Sequence, residues 1–101
     1  MAQFDVYINT NTETAQLFPY LLSIQHDLLS TLKTRVVVPL CSDQTPITHL
    51  NPQFVIENKT LFMSTGDMAG IPLSSCGKVV DNFEEKRSEI INALDFLVSG
   101  F

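Results

Sequence analysis

The last eighteen residues, Glu84–Phe101, read EEKRSEIINALDFLVSGF and carry the clearest helical repeat in the chain. At 3.6 residues per turn Ile90, Leu94, Leu97 and Phe101 fall on one line. Phe83 extends that line backwards, and Ile91 and Val98 widen it to one side. An apolar stripe of this kind has to face a core. Whatever the preceding residues form must therefore offer an apolar surface to a C-terminal helix. Asp81 or Asn82 is placed to cap its start, with Glu84 or Glu85 completing a capping box. The early acids suit the positive end of the helix dipole, and Gly100 releases the backbone at the other end.

The opposite face carries Glu85, Ser88, Asn92, Asp95 and Ser99, a polar stripe for solvent. Phe96 sits about 40° from Asn92 on the wheel, at about 100° per residue. A monomer core does not account for a large aromatic there. Either a loop or another copy covers Phe96, the commoner case, or it belongs to a partner-binding tip.

The rest of the chain is broken into short runs. Gln3–Asn9 alternates, with Phe4, Val6 and Ile8 on one side and Asp5, Tyr7 and Asn9 on the other, which predicts a half-buried strand. The stretch 10–16 is polar and reads as a loop. From Leu17 to Leu32 the apolar residues keep helical spacing, which predicts a helix, although Pro19 interrupts its start and Tyr20, Leu22 and Ile24 also alternate. Arg35–Leu40 is a β-branched run closed by Pro39, a buried strand. Cys41–Gln53 reads as a long loop with one short strand at Ile47–Leu50. Phe54–Ile56 and Thr60–Met63 flank Glu57-Asn58-Lys59 as a hairpin. Ile71–Cys76 predicts another strand, followed by a turn at Gly77-Lys78. Many short strands and one terminal helix predict a mainly β fold, a small curled sheet or barrel capped by the helix.

A chain of 101 residues suits one domain with a single core. No apolar run is long enough for a membrane span, and the N-terminus lacks a signal-peptide pattern, so the expected compartment is the cytoplasm with Cys41 and Cys76 reduced. Net charge is −5, and the six basic residues are scattered. That balance disfavours direct nucleic-acid binding, which needs many phosphates neutralised.

Chemistry is weakly signalled. His26 and His49 are the only histidines, and neither sits in a motif that assembles a triad. Cys41, Cys76, His26 and His49 match no metal spacing, so no metal and no cofactor is expected. Asp67 between two glycines reads first as a turn former. Binding is the better class than catalysis.

Several stretches together resemble one family. Gln3-Phe4-Asp5-Val6-Tyr7, Phe18-Pro19-Tyr20, Gln25-His26-Asp27-Leu28-Leu29, Arg35-Val36-Val37-Val38-Pro39-Leu40, Asn51-Pro52, Asp67-Met68-Ala69-Gly70-Ile71-Pro72 and the terminal Gly100-Phe101 occur in the order seen in CcdB toxins of plasmid and chromosomal toxin–antitoxin modules. The resemblance covers nearly the whole chain as one toxin domain, 1–101. It implies an SH3-like barrel, or curled antiparallel sheet, with a small additional sheet and a C-terminal α-helix, assembled as a homodimer. It also implies that Tyr20–Gln25 is strand, against the helical periodicity.

Function follows from the same resemblance. Such toxins are not enzymes; they bind the A subunit of DNA gyrase, hold its cleaved-DNA complex open, and are removed by a CcdA-like antitoxin with a disordered tail. Carried over by position, the gyrase-binding surface comprises Leu28, Leu29, Asn92, Asp95, Ser99, Gly100 and Phe101. Phe96 joins it as a replacement aromatic contact. Antitoxin contacts are expected at Tyr7, Asn9 and Ile47. One departure stands out. The best-known pattern has a tryptophan before the terminal glycine, stacking on an arginine of gyrase, and here that residue is Ser99. Losing such a stack costs about 0.5–2 kcal/mol per site. The alternatives are an mRNA endoribonuclease toxin on the same barrel, which would need a basic groove, and a non-toxic adaptor domain.

Overall fold

The computed structural model describes residues 2–29, 31–42 and 45–100. Seven strands form one antiparallel sheet: β1 (Asp5–Asn9), β2 (Tyr20–Ser23), β3 (Thr34–Cys41), β4 (Gln53–Ile56), β5 (Lys59–Met63), β6 (Ala69–Pro72) and β7 (Cys76–Asn82). The order is β4-β5-β3-β2-β1-β7, with β6 also paired to β3. Helix α1 (Arg87–Ser99) closes the chain.

β3 organises the sheet. Its N-terminal half pairs with β6 through Thr34–Val37, and its end pairs with β5 at Leu40 and Cys41. Its other edge is taken by β2. One long strand thus serves both the main curl and a β3–β5–β4 wing, so the small additional sheet expected is a wing of the same sheet. This is the curled, mainly β architecture with a C-terminal helix that the sequence predicts.

Both faces of the central strands are covered. Phe4, Val6, Leu22, Val38 and Leu40 join Phe54, Ile56, Leu61, Met63 and Phe83 in a core that receives Ile90 and Ala93 of α1. The alternate residues Asp5, Tyr7, Asn9, Leu21, Ser23, Arg35 and Val37 are buried as well. β6 pairs with β3 and β7 with β1, and the 3-10 turn Leu73–Ser75 joins them, with the Ser75 carbonyl accepting the Thr10 N–H at 3.3 Å. The half-buried strand expected at the N-terminus is therefore enclosed on both sides, with Ile8 its most exposed residue.

Four other expectations are corrected. The helix expected over Leu17–Leu32 is the strand Tyr20–Ser23 plus a 3-10 turn at Asp27–Leu29; sheet pairing on both sides of β2 overrides a periodicity that fits either state. The short strand expected at Ile47–Leu50 is a turn. Gly77-Lys78 is not a turn but lies inside β7, where the register slips against β1. A Cβ on Gly77 would fall 2.7 Å from the Ile8 carbonyl oxygen, so only glycine allows that approach. The terminal helix begins later than expected, at Arg87, after a 3-10 turn Glu84–Lys86; the N-caps are Phe83 and Lys86, with no side-chain cap bond, so the expected capping box does not form, although Asn82 Oδ1 accepts the Glu84 N–H at 2.8 Å.

The hairpin is confirmed in a tighter form. Glu57 and Asn58 alone make the turn, both at positive φ (50° and 67°), a type I′ geometry that matches strand twist.

Candidate functional site

Helix α1 meets the core through Ile90 and Ala93, with Ile91 and Leu94 packed partly against it. Past that point it leaves the core. Leu97 is 39% exposed and Val98 is 83% exposed, so the expected apolar line is buried only in its first half. Ala93 takes the place expected for the later residues, because the sheet underlies only the first turns of the helix. The helix ends at Gly100, whose φ of 80° is left-handed and whose N–H donates to the Phe96 carbonyl at 2.9 Å. The Ser99 hydroxyl donates back to the Asp95 carbonyl at 2.7 Å. Phe101 lies outside the described residues.

Beside this helix runs an ordered loop. The Ile47 N–H donates to Asn51 Oδ1 at 2.8 Å, and Asn51 Nδ2 donates to the Met63 carbonyl at 2.9 Å. The buried Thr65 hydroxyl donates to the Leu50 carbonyl. These bonds tie the loop to the end of β5 and present His49, at φ 70°, to the helix. Its ring lies 6.3 Å from that of Phe96. Phe96 is thus half-buried under a loop rather than standing on the wet face.

Between loop and helix lies an open groove of about 610 Å³, lined by His49, Pro52, Glu89, Asn92, Asp95 and Ser99. The helical wheel's polar stripe supplies Asn92, Asp95 and Ser99, and the structure brings these together. Glu89 lies one turn before Asn92, beside Ser88 of the stripe, and widening the stripe sideways would have found it. His49 and Pro52 had no local signal, because only the tertiary fold carries their loop to the helix.

Leu28 and Leu29 do not line this groove among its described residues. They project from the turn Asp27–Leu29, where Leu28 is 85% exposed and Leu29 about half exposed. The projection is braced from below. His26 Nδ1 accepts the Leu28 N–H at 3.1 Å, and the buried Gln25 donates to the Leu29 carbonyl at 2.9 Å while accepting the Val36 N–H at 3.0 Å.

The expected antitoxin contacts divide. Ile47 is exposed, two residues from His49. Tyr7 is fully enclosed, and its hydroxyl has no hydrogen-bond partner among the described residues. Burial raises the Tyr7 pKa, Asp5 and Cys76 add to the rise, and Arg35 opposes it. Asn9 is buried too; its side-chain amide donates to Thr14 Oγ1 and the Phe18 carbonyl, both at 2.9 Å. Neither Tyr7 nor Asn9 offers its side chain to a partner in this conformation. Both lie on the second face, which is buried as well as the first, and a single strand's alternation does not disclose that.

No three His, Cys, Asp or Glu side chains converge as a metal would require among the described residues. No described helix is long and apolar enough to cross a membrane. The groove has hydrogen-bonding and acidic groups on one wall, and on the other a ring held in place by an aromatic neighbour. That is a surface for recognition. The sequence model of the family described as CcdB protein matches residues 3–100. The chain belongs to the CcdB family. It is a toxin of the toxin–antitoxin kind, with an antitoxin as its general class of partner.

Proposed function

We propose that this CcdB-family toxin acts by binding rather than catalysis: it engages the A subunit of DNA gyrase, as a cytoplasmic homodimer, and traps the enzyme's cleaved-DNA complex. A cognate antitoxin reverses the action. The gyrase-facing surface in this reading comprises Asn92, Asp95, Ser99 and Gly100 at the helix end, Phe96 beneath them, the projecting Leu28 and Leu29, and Phe101. Ile47 remains the antitoxin contact with an exposed side chain.

The observation that carries the reading is the groove. The three polar helix residues that family resemblance assigns to gyrase line one cavity, beside a helix end whose last turn is exposed. With Ser99 in place of tryptophan, the recognition elements left at this end are carboxylates, an amide, a hydroxyl and the Phe96–His49 pair. The same groove disfavours RNA cleavage, because Glu89 and Asp95 repel phosphate.

Plasmid DNA incubated with gyrase, ATP and this protein, then treated with detergent and protease, tests the reading. Linear DNA is the expected product. Loss of RNA in a parallel tube with intact plasmid would replace it by the nuclease reading, and no change in either by the adaptor.

A further inference from the structure

Helix α1 packs on the face of the sheet that carries Val6, Leu22 and Val38. On the other face, where β1 ends, lies a pocket of about 220 Å³. Leu21 pairs with Pro39 and Val37 with Ala69, so these four share that face. Leu21, Val37 and Pro39 are buried and form the floor. Half-buried Phe18 and Ile71 and exposed Ala69 stand above them as walls, and exposed Asn11, Thr14 and Asp67 surround the mouth.

The walls are held in place by the chain's own bonds. Asn9 Oδ1 accepts the Asn11 N–H at 3.0 Å, while its amide ties down Thr14 and Phe18. The Thr10 N–H and hydroxyl donate to the carbonyls of Ser75 and Ser74 at 3.3 and 3.2 Å. A concavity fixed in advance spends little ordering on its ligand. Asp67 is fixed as well. Its Oδ2 accepts the Ser64 hydroxyl at 2.6 Å and its N–H donates to the Ser64 carbonyl at 3.0 Å, which leaves Oδ1 without a hydrogen bond among the described residues.

Size and charge limit what fits. The volume exceeds the roughly 150 Å³ of an apolar cavity that takes up benzene, and is below the roughly 300 Å³ at which drug-sized sites begin. One ring with a short chain fills it. Asp67 is the charged residue of the lining, and the segments 9–23, 37–41 and 64–76 that build the pocket add Glu13 and no lysine or arginine. Arg35, farther back on β3, is buried beside Tyr7 and Asp5 and does not line it.

We propose that this pocket binds a small amine cation carrying one aromatic ring. The ring rests on Leu21, Val37 and Pro39 with its edge toward Phe18, and the ammonium group donates to Asp67 Oδ1. The pocket shares no lining residue with the groove along α1, so the inference stands apart from the gyrase reading.

The test is an NMR titration of the full chain with phenethylamine, its neutral counterpart phenethyl alcohol and its anionic counterpart hydrocinnamate. Phenethylamine should shift the methyl signals of Leu21, Val37 and Ile71 saturably and bind at least fivefold more tightly than the alcohol. Hydrocinnamate should bind more weakly than either. Asp67→Asn keeps an acceptor for Ser64, and should lower the amine's affinity to that of the alcohol without changing the alcohol's. Ala69→Phe, at an exposed wall, should fill the pocket and abolish both; if that variant does not fold, Asp67→Asn decides alone. Equal binding of amine and anion, amine affinity unmoved by Asp67→Asn, or shifts that fail to saturate at millimolar probe would overturn the proposal. So would closure of the pocket by a second copy, read as probe affinity that falls with rising protein concentration.

Discussion

The rings of His49 and Phe96 lie 6.3 Å apart, tilted by 56°, and this pair fastens the loop to the helix along the groove. Tilted aromatic pairs at such distances contribute about 0.5–1.5 kcal/mol beyond the area they bury. A double-mutant cycle with His49→Ala and Phe96→Ala should return a coupling of that size in urea unfolding. Additive effects would mean that the pair does not hold the loop.

Ile90 is fully buried where α1 meets the core, whereas Val98 stands in solvent. Ile90→Ala should cost about 2–5 kcal/mol. Val98→Ala should stay within about 0.5 kcal/mol. Chemical denaturation of both variants checks the rotation of the helix; comparable losses would show that its last turn is buried.

Gly77→Ala should destabilise the fold by about 1–3 kcal/mol, since the added carbon meets the Ile8 carbonyl oxygen at 2.7 Å and the Thr10 methyl at 2.9 Å, and the backbone oxygen cannot swing aside. Gly70→Ala is the control. Nothing lies within 4 Å of a Cβ there, and its melting point should hold.

The fold was legible in the sequence to the extent that local pattern decides it. The terminal helix, the β-branched run of β3 and the hairpin around Glu57-Asn58 each follow from a few neighbouring residues. Tyr20–Ser23 does not, because Leu21, Leu28 and Leu32 fit a helical line as well as Tyr20 and Leu22 fit a strand; pairing with β1 and β3 decides. The groove was half legible. Asn92, Asp95 and Ser99 follow from the wheel, whereas His49 and Pro52 depend on bonds from Asn51 and Thr65 that join distant segments. Tyr7 was misplaced because alternation tells which side a residue takes, not whether that side is covered.

Burial holds Tyr7 and Tyr20 neutral to higher pH than usual, aided at Tyr20 by Glu57, and raises the Cys76 thiol pKa as well. The unfolded chain releases these protons first, so it binds fewer than the native state, and stability falls with rising pH. The contribution is complete below about pH 8.5 and is lost as pH climbs through about 10 and above. Melts between about pH 8 and about pH 11 should show this decline. Tyr7→Phe should reduce it, and at the lower pH should match or exceed the parent, since a buried hydroxyl without a partner costs about 1–3 kcal/mol. An unchanged decline in that variant would remove Tyr7 as a source.

The most direct test of function is calorimetric titration of purified gyrase A subunit with the parent protein and with Asp95→Lys. Asp95 is exposed and lines the groove, so the change reverses charge at the recognition surface without touching the core. Lys78→Glu, an exposed change on β7, serves as the control. The parent and the control should bind, and Asp95→Lys should bind at least tenfold more weakly, about 1.4 kcal/mol, with an unchanged melting point. Equal affinity in all three, or no binding by the parent, would contradict the claim that the end of α1 is the gyrase-binding surface.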